Sequence, residues 1–131
     1  MTRLLKSQHI RTRSDFESFR KKCAYCVSCD FFLLKMIERP IQDHLHVDSL
    51  PRIGIIVSKK IGCAVTRNRV RRVIREYFRI HQDLFHKNCD YLVITRSGIG
   101  ELSGRAVWDE LDLLSWRDSL SNINFARGHN V

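Results

Sequence analysis

The stretch KKIGCAVTRNRVRRVIREYFRI, residues 59–80, constrains the fold of this chain more than any other segment. It holds eight cations, and Glu76 is its sole acid. A solvated helix interleaves opposite charges, so that cations find carboxylates four residues away. That pattern is missing here, yet the apolar residues keep a strict order. At the helical step of about 100° per residue, Val70, Val73, Ile74, Tyr77, Phe78 and Ile80 fall in one arc. Asn68, Arg71, Arg72, Arg75 and Arg79 form a contiguous polar stripe, with Arg67 at the seam and Arg69 beyond Glu76 on the far edge. The pattern predicts a helix from Ala64 to Ile80 that buries one face and presents a guanidinium ridge on the other.

The charge is focused rather than spread. The whole chain carries +9, of which residues 52–80 alone supply +8 and residues 97–131 carry −2. Crowded like charges on a helix cost a few tenths of a kcal/mol per pair. A polyanion would offset that cost, either a nucleic acid or an acidic membrane face; a merely solvated basic surface is the bland alternative. Between residues 61 and 80 every cation is arginine, whose planar fork matches two phosphate oxygens at once. Against a membrane stand the core's claim on the apolar arc and the position of Trp108 and Trp116 elsewhere.

At 131 residues the chain suits one domain with one core. We expect that core over about residues 10–118, with 1–9 and 119–131 as flexible tails. There is no apolar run of membrane-spanning length, and MTRLLKSQHIRTRSDF lacks the apolar centre of a secretory signal. The expected location is cytoplasmic, where the five cysteines stay thiols.

Ser14 and Glu17 have the spacing of a capping box opening a short helix over 14–22, which carries Phe16 and Phe19 and ends in Arg20, Lys21 and Lys22. FFLLKMI at 31–37 is a buried strand, and 38–51, with a proline near each end, a surface loop. RIGIIVS at 52–58 and DYLVITR at 90–96 are two more strands, SGIG at 97–100 is a turn, and a last helix runs over about 102–118. Helices packed on a small sheet make an α+β or α/β sandwich.

These residues resemble a known family. RIGIIVSKKIGCAVTRNRVRRVIREYFR, 52–79, is similar to the signature of the protein subunit of bacterial ribonuclease P, and SDFESF at 14–19 and DYLVITR follow in that family's order. The resemblance covers about residues 10–118. It implies a single-domain α-β-β-β-α-β-α sandwich on a four-stranded sheet, like the second domain of a small-subunit ribosomal protein, with a left-handed βαβ crossover against the usual rule. It also implies a ribonucleoprotein endoribonuclease in which the RNA subunit hydrolyses one phosphodiester of precursor tRNA and releases the 5′ leader. The Mg²⁺ is bound mainly by that RNA. The protein contributes no catalytic residue or metal site; it binds the RNA subunit and the leader and raises affinity for substrate and metal ions.

By position, the resemblance places Lys59, Lys60, Arg67, Asn68, Arg69, Arg71, Arg72 and Arg75 against the RNA subunit. It places Phe16, Phe19, Arg20, Phe32, Leu34 and Arg96 along the leader, where stacking on an aromatic ring tolerates any base. Three positions depart from the family. Arg20 stands where a second aromatic is usual, Leu34 where tyrosine is frequent, and Cys63 where a better helix cap is common. The expected leader groove therefore relies more on charge than on stacking.

Other motifs weigh less. Cys23, Cys26 and Cys29 have CxxCxxC spacing, yet no second CxxC supplies a fourth ligand, so bystander thiols are the simpler reading. His44 and His46 read as solvated, and His81 and His86 as serving a helix end or solvent. Trp108 and Trp116, eight apart, cannot both face the core centrally. An autonomous Cys or His enzyme has no constellation to stand on. The remaining alternative is a general RNA-binding or ribosome-associated module, and neither reading requires DNA or a membrane. Charge reversal at Arg67 and Arg69 is expected to weaken binding of the RNA subunit and leave the circular dichroism spectrum of the fold intact.

Overall fold

The computed structural model describes residues 4, 8–10, 13–21, 25–38, 50–85 and 89–113. Chain order is α1 (Arg13–Lys21), β1 (Tyr25–Ser28), β2 (Phe32–Glu38), β3 (Arg52–Ile56), α2 (Ala64–Ile80), β4 (Cys89–Thr95) and α3 (Gly104–Leu113). The strands form one mixed sheet in the order β1-β2-β4-β3. β2 pairs antiparallel with both β1 and β4. β3 and β4 run parallel, with Ile53 opposite Tyr91 and Ile55 opposite Val93, so α2 is the crossover between them. The architecture is the α-β-β-β-α-β-α sandwich expected above.

Strand alternation divides the sheet into two apolar faces. On one, Phe32, Leu34, Met36, Ile53, Tyr91 and Val93 pack with Val70, Ile74, Tyr77 and Phe78 of α2 and Val107 and Leu111 of α3. On the other, Ile37 and Leu92 meet Ile10 and Phe19, with Phe16 and Ile94 at the margin. β4 is covered on both sides, which is why DYLVITR reads as a continuous apolar run rather than an alternating one.

A polar clamp crosses this arrangement. Asp90 is only 2% exposed, and Arg52 donates to it from Nε at 2.8 Å and from Nη2 at 2.6 Å. Arg52 Nη2 also reaches Asp15 Oδ1 at 3.3 Å, in the first turn of α1. One guanidinium thus joins β3, β4 and α1. The hydrogen bond to Asp90, strengthened by its charge, pushes the Arg52 pKa further above its ordinary value despite the cost of burial.

Several expectations need adjustment. Ser14 lies inside α1 rather than at its cap; its carbonyl accepts from Ser18 Oγ at 3.1 Å, and Glu17 pairs instead with Arg13 at 3.2 Å. The residue pattern assigned no strand to CAYCVSC, yet Tyr25–Ser28 pairs along β2. An edge strand needs only one apolar face, and the cysteine spacing masked the alternation. Ile80, at the edge of the α2 arc, is 43% exposed. Most of the 38–51 loop, His44, His46, His86, Cys23, Leu114, Trp116 and the 119–131 tail lie outside the described residues.

Replacing Arg52 with Met leaves the Asp90 carboxylate buried without its cation. We expect a loss of about 2 kcal/mol, below the range for fully buried pairs because Arg52 keeps some solvent. A urea midpoint unchanged by the substitution would show that the clamp adds nothing.

Candidate nucleic-acid interface

α2 turns its buried arc onto the sheet, so its arginines lie outward, as the helical period requires. Asn68, Arg72 and Arg75 are exposed, and Arg71 is half-buried. Asn68 Oδ1 accepts from Arg71 Nη1 at 3.2 Å, which steadies that guanidinium along the ridge. Glu76 is engaged by Arg79, whose Nη2 lies 3.3 Å from Glu76 Oε1. The hydrogen bond from Arg79 holds the Glu76 carboxyl below its usual range. Among the described residues, Arg67, Arg69, Arg71 and Arg72 form no ion pair.

Arg69 differs from its neighbours. Its Nη1 donates to the Leu102 carbonyl at 3.0 Å and its Nη2 to the Gly100 carbonyl at 2.7 Å. Those carbonyls belong to the turn after β4. That turn sits against the one before α2, since a Cβ on Gly100 would come within 2.7 Å of the Ile61 carbonyl oxygen. Lys59 and Lys60 are exposed on this second turn, Lys59–Ile61. Arg69 therefore secures the turn against which the lysine-bearing turn packs, and reversing its charge would cost these two hydrogen bonds, which corrects the expectation of a change without structural cost. Arg67 is half-buried, and among the described residues its Nε–H is buried without a hydrogen-bond partner.

At the start of α2, Cys63 makes no side-chain cap bond to the helix. Its Sγ instead meets Thr66 Oγ1 at 3.4 Å. The Thr66 hydroxyl, followed by the helix's first backbone N–H groups, draws the exposed thiol below its ordinary pKa.

A second concave surface of about 270 Å³ lies between α1 and the sheet. The Phe16 ring crosses β3 where Gly54 has no side chain; a Cβ there would lie 3.0 Å from Phe16 Cε1. Arg20 is exposed along the same wall. Phe19 forms part of the lining, but at 2% exposure it belongs to the core. Phe32 and Leu34 are buried on the opposite face, under α2, and the expectation that they touch the leader is corrected. A ring without exposed surface offers no face to a base. The residue that β2 contributes to the cleft is Lys35, with Ile56 and Ile94 beside it. Lys35 is the lone charge in FFLLKMI, and strand alternation from it identifies the side that meets solvent. Arg96 follows Leu92 and Ile94 just past the end of β4, outside this lining, and its Nη1 donates to the Cys29 carbonyl at 3.1 Å.

No group of three or more His, Cys, Asp or Glu among the described residues is placed to hold a metal. Cys26 and Cys29 are free thiols. His81 closes α2, with its Nδ1 2.7 Å from the Tyr77 carbonyl. No helix among the described residues is long and apolar enough to cross a membrane.

Fold and surface together define a small basic α+β protein whose crossover helix carries an arginine ridge. The ribonuclease P family model matches residues 4–117. The ribonuclease P protein component of Shouchella clausii is 33% identical over 107 residues, covering 82% of each chain. That of Enterococcus faecalis is 35% identical over 102 residues, 78% of this chain and 80% of its own. The component from Desulforapulum autotrophicum is 44% identical over 63 residues, and there the chain spans only 54% of the relative's length. Among solved structures, the RNase P protein of Staphylococcus aureus superposes with a TM-score of 0.70 at 28% identity, covering 83% of this chain and 93% of that one. The chain belongs to the ribonuclease P protein family.

Arg69→Ala should lower stability by about 1.5–3 kcal/mol, the range for hydrogen bonds to a charged group. An unchanged melting temperature would refute the clamp. Thr66→Val should slow alkylation of Cys63 near pH 8, because losing the hydroxyl raises the thiol's pKa and shrinks the thiolate fraction. The difference should vanish at pH values where both thiols are fully ionised; equal rates at pH 8 would remove Thr66 as the cause.

Proposed function

We propose that this chain is the protein component of a ribonuclease P holoenzyme, acting with a catalytic RNA subunit to remove the 5′ leader of precursor tRNA. The observation that carries this reading is the α2 ridge. Arg71, Arg72 and Arg75 project beside Asn68 with Glu76 already engaged by Arg79, and Lys59 and Lys60 extend the same basic surface. Guanidinium groups in such an array bind phosphate in pairs of hydrogen bonds and release counterions as they do so. The ridge takes the RNA subunit. The α1 cleft takes the leader, with Phe16 as its stacking ring and Arg20 and Lys35 as its cations.

In this reading the reaction's Mg²⁺ is held mainly by the RNA subunit. The protein's part is positioning and charge. Cations beside two RNAs reduce their mutual repulsion, so that less Mg²⁺ is needed to hold them together.

Cleavage of a precursor tRNA by the cognate catalytic RNA at low Mg²⁺, with and without the protein, tests the proposal. A large gain from the protein and no cleavage by protein alone is the expected result. Salt-sensitive RNA binding without any gain would favour a general RNA-binding module instead. Arg71→Glu with Arg72→Glu should weaken binding of the catalytic RNA and flatten its log–log salt dependence by roughly one unit for each phosphate no longer neutralised. Phe16→Ala should weaken leader-bearing precursor more than mature tRNA; equal losses would take Phe16 out of the leader site.

A further inference from the structure

On the sheet face opposite the α1 cleft, a groove of about 820 Å³ opens along α2, between α3 and the N-terminal residues Leu4 and His9. Its volume falls within the roughly 300–1,000 Å³ of pockets that enclose small organic ligands. Val73 and Trp108 form its apolar floor, and Arg72, Arg75, Arg79 and Arg105 stand around it with Glu76. Trp108 Nε1 donates to the Val73 carbonyl at 3.0 Å, so the indole's one polar atom is satisfied within the protein. α3 is tied down nearby, where Tyr77 OH donates to Asp112 Oδ1 at 2.6 Å.

Gly104 widens this space. A Cβ there would meet only the Val73 methyls, at 3.6 and 3.8 Å, which is ordinary contact. The glycine is therefore not demanded by packing, and a side chain in its place would narrow the groove.

An apolar floor beneath a guanidinium rim matches a nucleotide, which offers a flat base and an anionic phosphate. Four guanidinium groups face one carboxylate, and Arg79 already holds that carboxylate. The groove also shares Arg72 and Arg75 with the ridge. An RNA lying along α2 reaches it without leaving its phosphate track.

We propose that this groove receives an unpaired nucleotide of the RNA subunit held on the ridge, with its base against Trp108 and Val73 and its phosphates on Arg72, Arg75 and Arg105. The inference rests on the reading of α2 as an RNA interface. It adds a base-binding site on the other side of the sheet from the leader cleft.

The full chain carrying Trp116→Phe keeps Trp108 as its single indole and serves as the reporter. Cognate catalytic RNA and a short oligoadenylate should each quench Trp108 fluorescence saturably, whereas polyglutamate and anionic vesicles should not. Arg105→Glu and Gly104→Leu, each with an unchanged circular dichroism spectrum, should weaken oligoadenylate binding at least about fivefold, the low end for losing one stacked base. Arg71 lies on the ridge but outside the groove, so Arg71→Glu tests the parent reading separately. Catalytic RNA that binds in an Arg71-dependent way but leaves Trp108 unquenched, or is indifferent to Gly104→Leu, overturns the groove alone. Quenching by polyglutamate equal to that by RNA would assign the groove to an acidic protein segment. Binding of the catalytic RNA that ignores Arg71→Glu overturns both.

Discussion

Burial of one α2 face on the sheet is the constraint on which the rest depends. Val70, Ile74, Tyr77 and Phe78 are nearly inaccessible to solvent. Each such side chain contributes about 1.5–3 kcal/mol on leaving water. That gain outweighs the few tenths of a kcal/mol per pair by which the crowded arginines repel one another. Because the helical period couples the two faces, fixing the apolar arc inward fixes the guanidinium ridge outward.

The sheet separates two surfaces. β4 is buried from both sides, so α1 with the cleft and α2 with the ridge occupy opposite faces of one scaffold. The Arg52 guanidinium links Asp90 in β4 to Asp15 in α1 and so holds the cleft's helix in register with the strands that support α2. Gly54 allows the Phe16 ring to lie close over β3. A cleft built in this way is set by backbone proximity and by a buried charge pair, both of which resist deformation.

The cations of α2 are not equivalent. Arg69 secures the turn beneath the basic loop, Arg79 is balanced by Glu76, and Arg71 is aligned by Asn68. Sequence counting treats all of them as one basic patch. The structure assigns some to architecture, and the remainder, chiefly the exposed Arg72 and Arg75 with the half-buried Arg71, form the outward ridge. The same division explains why charge reversal at Arg69 would confuse a binding defect with a folding defect.

The helix Ala64–Ile80, the strands 32–38 and 52–56 and the location of the ridge were legible in the residue order. A period of 3.6 or 2 is a local property, and the apolar residues kept to it. The edge strand Tyr25–Ser28 was hidden because four residues carry little periodicity and cysteines drew attention to ligand spacing instead. Which side of β2 faces the cleft was a matter of register. A shift of one residue exchanges the two faces of a strand, so Lys35 points to the cleft while Phe32 and Leu34 lie under α2. The sequence alone determined that a helix with one apolar face and one arginine face must pack on a sheet. Only the tertiary structure decided that Arg69 is a clamp, that Phe19 is core, and that Trp108 lies beside the arginines of α2, because those facts depend on residues far apart in the chain coming together, with Arg69 to Gly100 and Trp108 to Val73 as examples.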